Sequence, residues 1–177
     1  GLGPHDYYGE YEVRDYRRAL LQNLKQRFCG ARYPFLFLDP RFAWHGGFHW
    51  WHDKLAGVIQ RIKKSRDISF AEARLFLASR IASIELLPYH SPAFRDAGGW
   101  LRQLKSVQLA RDFVREFVQP RVLRRQAIVI VTRQATAWEL HSQPGVVVYT
   151  GAQARAAHLT PQSPGGAAML KHLGIPE

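Results

Sequence analysis

Apolar residues recur along this chain in two rhythms, one near four residues and one continuous. From Asp6 to Phe28 the four-residue step through Tyr16, Leu20, Leu24 and Phe28, with Arg17, Arg18 and Lys25 elsewhere, predicts a helix. Tyr33-Pro34 breaks it, and Phe35-Leu36-Phe37-Leu38 follows as an unbroken apolar run closed by Asp39-Pro40, the pattern of a strand buried on both faces. Arg41 to Gly47 reads as a loop. Phe48 to Lys64 returns to helical spacing through Trp51, Leu55, Val58, Ile59 and Ile62, and Ser69 with Glu72 three residues later fits a capping box opening a further helix. Ile81 to Leu87 reads as a second strand, and Pro88 to Gly99 as a shaped loop. Leu104 to Val118 is the strongest helical pattern, with Val107, Ala110, Val114 and Phe117 on one face and Pro120 as its stop. Ala127 to Val131 predicts a third strand, Gln134 to Leu140 a short helix, and Val146 to Tyr149 a fourth strand after the Pro144-Gly145 turn. A loop rich in Gly, Ala and Pro then leads to a last helix over Ala167 to Leu173.

Strands alternating with helices predict an α/β fold with a parallel sheet and right-handed crossovers. With no internal repeat and no linker, residues 1–177 read as a single domain, on which residues 1–30 pack as an N-terminal helical segment. Ligands of open parallel sheets lie outside the carboxyl ends of the strands. That rule restricts the candidate chemistry to Asp39–Gly47, Pro88–Gly99, Thr132–Gln134 and Thr150–Gly166.

Composition narrows the partner. The chain carries 25 Lys and Arg against 14 Asp and Glu, a formal charge of +11, and its five Trp, seven Tyr and ten Phe offer flat faces. Surplus cations attract polyanions, largely through release of counterions from phosphates, and bases stack on aromatic rings. A single cysteine, Cys29, excludes an internal disulfide and a cysteine-rich zinc site. No apolar run approaches a membrane span, and Gly1-Leu2-Gly3-Pro4 lacks a basic-then-apolar leader pattern, so a cytoplasmic monomer that avoids membranes is expected.

At the strand ends, Asp39 could orient or deprotonate a water, or serve as a turn residue satisfying nearby amides. Phe42, Trp44 and Phe48 offer rings for a planar ligand or for the core. His45, His49 and His52 suggest a metal, although Gly46-Gly47 separates the first from the others and no nearby Glu or Cys completes a set. Glu85 inside a strand would need a partner. Tyr89, His90 and Ser91 follow it, and the histidine could stabilise an anion or move a proton. The last loop combines small residues with Gln153, Arg155, His158 and Gln162. There is no G-x-G-x-x-G after a strand, no G-K-[ST] and no G-x-S-x-G, which argues against dinucleotide, nucleoside-triphosphate and serine-hydrolase sites.

Three stretches together resemble the uracil-DNA glycosylase superfamily. Phe35-Leu-Phe-Leu-Asp-Pro-Arg-Phe-Ala-Trp-His-Gly-Gly-Phe-His-Trp-Trp resembles its first motif, Ile84-Glu-Leu-Leu-Pro-Tyr-His-Ser its middle strand and pocket loop, and Val146-Val-Val-Tyr to Thr160-Pro-Gln-Ser-Pro its last strand and loop. The resemblance implies a three-layer domain with a central four-stranded, mainly parallel sheet and helices on both faces. It implies an enzyme without metal or organic cofactor that hydrolyses the N-glycosidic bond of a flipped-out, damaged or modified pyrimidine in DNA. Asp39 would position the water, with His90 and His158 serving the departing base. Phe42, Trp44, Tyr89, Glu85 and Gln153 would form the base pocket, while Arg41, Arg133, Arg155 and Gln162 would contact DNA. The uracil-reading Asn of the superfamily is replaced by Pro88-Tyr89-His90, and the last loop does not open with the usual histidine, so a modified pyrimidine encountered in repair or phage defence is a candidate. Two rivals stand beside this reading: a non-catalytic nucleic-acid-binding domain, and a metal-dependent nuclease built on His45, His49 and His52.

Overall fold

The computed structural model describes residues 9–28, 31–87 and 100–176. These fall into two compact units, the first made of the described residues up to Ser83 and the second of those from Ile84 onward.

In the first unit, helix α1 (Arg14–Leu24) buries Tyr16 against Leu36 and Phe42. Its predicted apolar row fades quickly along the chain, since Leu24 is 72% exposed. Helix α2 (Gly46–Arg66) follows the sequence pattern closely: Leu55, Val58, Ile59 and Ile62 form its fully buried face. Burial of side chains this size contributes about 1.5–3 kcal/mol each. Asp67 ends α2 in the left-handed conformation, and its N–H reaches Lys63 O. Helix α3 (Phe70–Ala78) then starts from the expected capping box: Glu72 N–H donates to Ser69 Oγ, and Ser69 N–H to the Glu72 carboxylate. The Ser69 hydrogen bonds hold the Glu72 carboxyl below its ordinary value. Helices α2 and α3 pack against each other, and the Leu36–Leu38 turn lies on both.

The second unit contains the sheet. Strands β1 (Val129–Val131) and β2 (Val146–Val148) pair in parallel with Val129 opposite Val146 and Val131 opposite Val148. Tyr149 N–H donates to Val131 O and extends the ladder by one bond. A long helical run precedes β1: α4 (Lys105–Phe113), a π-helical turn (Val114–Val118) and α5 (Gln119–Leu123). Between the strands lies α6 (Ala135–Trp138), and after them α7 (Gly151–Ala156) and α8 (Pro164–His172). Val107 packs with Leu86 and Ala137, and Val114 with Val131 and Leu140.

The expected three-layer architecture is corrected. The described residues are 60% helical with a two-stranded parallel sheet, not a central four-stranded sheet flanked by helices. Phe35–Leu38 does not form a strand; Leu36–Leu38 make one 3-10 turn and Pro40–Phe42 a second. A short apolar run is equally compatible with any buried segment. Pro34 and Pro40 remove ladder donors on either side, and Phe35 N–H is satisfied by Ala78 O from α3. Ile81–Leu87 forms no strand either, because Ala82 through Glu85 face solvent and only Leu86 is buried.

Two boundaries also move. Pro120 does not stop its helix: it sits in the first turn of α5, where a missing N–H is tolerated. The wide turn before it accommodates the ring that an unbroken α-helix would clash with. The loop expected after Tyr149 contains α7, and α8 begins three residues before the predicted Ala167, because Ser163 caps it and Pro164 occupies its first turn.

Candidate functional site

The second unit gathers several of the expected residues. Tyr149 ends β2 and is 2% exposed. Its hydroxyl donates to His158 O at 2.5 Å, accepts from Gly165 N–H at 3.0 Å and lies 3.2 Å from Ser163 Oγ. Ser163 in turn accepts from Gly166 N–H and donates to Thr160 O at 2.8 Å. This network ties the strand end, the 157–163 segment and the first turn of α8 together. Gly166 is required there, because a Cβ would collide with the Thr160 carbonyl.

Over this framework opens a hollow of about 270 Å³ lined by Tyr149, Gln153, His158, Thr160, Gln162, Ser163 and Pro164. Three residues expected at the site, Gln153, His158 and Gln162, therefore share one hollow at the carboxyl end of a parallel strand. All three are exposed, while Tyr149 and Ser163 spend their hydroxyls on backbone partners. The wall is thus prebuilt, and the polar groups that could address a ligand are the two amides, the imidazole and Thr160. Arg133 and Arg155 are exposed in the same unit but do not line the hollow. Glu85 is exposed as well, so the expectation of a carboxylate buried in a strand is corrected. Tyr89 and His90 lie outside the described residues.

The first unit holds the other constellation. Asp39 is 2% exposed and caps the Pro40–Phe42 turn, accepting from Arg41 N–H at 3.0 Å. The Arg41 guanidinium also grips both carboxylate oxygens, with Nε 3.2 Å from Oδ1 and 3.1 Å from Oδ2, and Nη2 2.6 Å from Oδ2. That hydrogen bond raises the Arg41 pKa, so Arg41 stays cationic. Asp39 therefore satisfies the local backbone, the simpler of its two sequence readings, and meets only one cation that reaches solvent. Phe42 is a core residue, edge-on to Tyr16 at 5.1 Å. Trp44 is 40% exposed, with Gly9, Tyr16 and His45 packed around its ring.

His45 was read as a metal candidate and proves structural. Its Nδ1 accepts from Gly47 N–H at 2.9 Å as the N-cap of α2, which puts the proton on Nε2, facing Glu10 Oε1 at 2.7 Å and Tyr16 Oη at 3.2 Å. The ring lies between Tyr16 and Phe37, stacked on both. His52 stacks on Phe48. Among the described residues, no three His, Cys, Asp or Glu side chains are grouped to hold a metal ion, so the cluster needed by a metal-dependent nuclease is not assembled.

The sequence reading passed over Tyr149, Ser163 and the capping role of His45. A signal for Ser163 was present, since Ser-Pro followed by a helical run is a helix-start signature. Nothing in the pattern distinguishes the Tyr149 hydroxyl from that of any strand tyrosine. Comparisons with protein families, with characterised proteins and with solved structures match nothing to this chain.

Proposed function

We propose that the chain is a DNA glycosylase that takes an extruded, damaged or modified pyrimidine into the hollow beside Tyr149 and hydrolyses its N-glycosidic bond, leaving an abasic site. The observation that carries this reading is the shared lining of Gln153, His158 and Gln162. At about 270 Å³ the hollow falls just below the usual span of ligand pockets, ~300–1,000 Å³, which suits one base better than a dinucleotide. Each glutamine offers an adjacent acceptor and donor, the pattern needed to read the edge of a flipped base. The departing base carries developing negative charge, and the His158 ring or an amide N–H supplies a donor for it. Extrusion costs a few kcal/mol, offset by stacking and by phosphate contacts that the +11 charge favours. Asp39, to which the family resemblance gives the water, lies in the other unit and is held by Arg41, so the reading rests on the hollow alone, and the work takes place in the cytoplasm without metal or organic cofactor.

A second reading has its own support. The double grip of Arg41 on Asp39 favours a nucleic-acid-binding domain that holds a base without cleaving it. One experiment separates them. The chain, with and without chelator, is incubated with DNA carrying uracil, hydroxymethylcytosine or glucosylated hydroxymethylcytosine, and alkali-revealed breaks are counted. The glycosylase reading expects breaks on one of these substrates, insensitive to chelator, and reduced in His158→Ala with DNA affinity retained. Binding without breaks on any substrate establishes the second reading instead.

A further inference from the structure

We infer that Arg66 and Arg80, gathered on the ring of Phe76, form a subsite for a phosphodiester of the bound DNA. The inference rests on the reading that this chain binds DNA, though not on its cleaving it. The Arg66 guanidinium carbon stands 4.0 Å from the centroid of Phe76, and that of Arg80 stands 3.8 Å from the same centroid. Two like charges thus converge on one side chain. Three other arginines are matched by carboxylates, Arg41 by Asp39, Arg111 by Glu139 and Arg115 by Asp112, and where Arg17 lies over Tyr11 and Arg74 over Tyr33 and Phe70, each of those rings meets a single cation. Arg66 and Arg80 have no ion-pair partner among the described residues. Residues 63–80 hold five cations and two carboxylates, and one of those, Glu72, is committed to its helix cap.

A structural role explains part of this arrangement and leaves the rest open. Arg80 Nη1 donates to Phe76 O at 3.0 Å and to Ser79 Oγ at 2.8 Å, so one corner of its guanidinium closes the end of α3. Arg66 has no such bond, and a guanidinium carries five N–H donors. Placement over an aromatic ring stabilises each cation through the ring's negative face and uses none of its N–H donors in a conventional hydrogen bond. Both side chains are exposed, and Lys63 and Lys64 are exposed beside them. A tetrahedral anion with several acceptor oxygens relieves the repulsion and accepts from both forks, and a fork matched to phosphate is the geometry that arginine provides and lysine does not.

The test uses the full chain. Anisotropy of a labelled 20-nucleotide duplex is measured across salt concentrations for the wild type and for Arg66→Gln/Arg80→Gln, with thermal melts confirming that the variant folds. Removing two phosphate contacts lowers the slope of log affinity against log salt by about two. In parallel, the arginine Nε–H signals of Arg66 and Arg80 are followed by NMR, with either the same DNA or inorganic phosphate added. The proposal expects both signals to shift together with DNA. A shift with phosphate but not with DNA makes the site a free-anion site and overturns the assignment. An unchanged slope with unmoved signals overturns it too, as does a wild type that binds no DNA. Binding with the expected slope but without abasic sites leaves this subsite standing and removes the glycosylase reading alone.

Discussion

Asp39 and His45 show how a polar side chain can be occupied by the fold that carries it. Both stand just before a helical turn, and both accept from a backbone N–H two residues later. For Asp39 this separates two contributions that substitution can distinguish. Asp39→Ala removes the cap and leaves Arg41 without its partner, and it is expected to lower unfolding stability by about 1–2 kcal/mol in urea titration. Asp39→Asn keeps an oxygen for Arg41 N–H and should lose less than half of that. If Asn falls as far as Ala, the ion pair holds the loop and the cap does not.

Whole elements carry their own expectations. The Ser69–Glu72 box opens α3, and the Glu72 carboxyl is held low by the Ser69 hydroxyl and then by the backbone N–H. Its contribution is therefore complete above the ordinary carboxylate range and disappears as pH falls through the depressed value in the folded chain. Melting temperatures of the wild type and Glu72→Gln should differ near neutral pH and converge in acid, below the depressed value. A difference that persists in acid would show that the ionised carboxylate is not the stabilising form. At α8 the constraint is steric. Gly166→Ala must push the Thr160 carbonyl away from the helix start, an overpacking expected to lower stability by about 2–3 kcal/mol. NMR should show the disturbance concentrated at His158 and Gln162, which share that segment; a change confined to α8 would mean that the segment gives way freely.

At the scale of the molecule, the sequence made local order legible and long-range pairing much less so. The α2 face was readable because sixteen or so residues of regular apolar spacing leave little choice of period, and β1 and β2 because Val-rich runs between turn residues have few other uses. Phe35–Leu38 misled because burial alone does not choose between a strand and a packed turn, and Ile81–Leu87 because its apolar letters are not matched by burial. The expected four-stranded sheet depended on those two segments and fell with them. The rule that ligands lie beyond strand ends needs only one parallel pair, which is why Gln153, His158 and Gln162 were still found around a common hollow. That hollow divides its labour. Its floor is fixed by a tyrosine hydroxyl bonded to main chain and by a glycine that tolerates no substituent, whereas its rim consists of side chains that nothing in the framework depends on. In the proposed reading, single replacements at the rim retarget recognition while the foundation stays as it is, so that a change of ligand does not demand a change of fold.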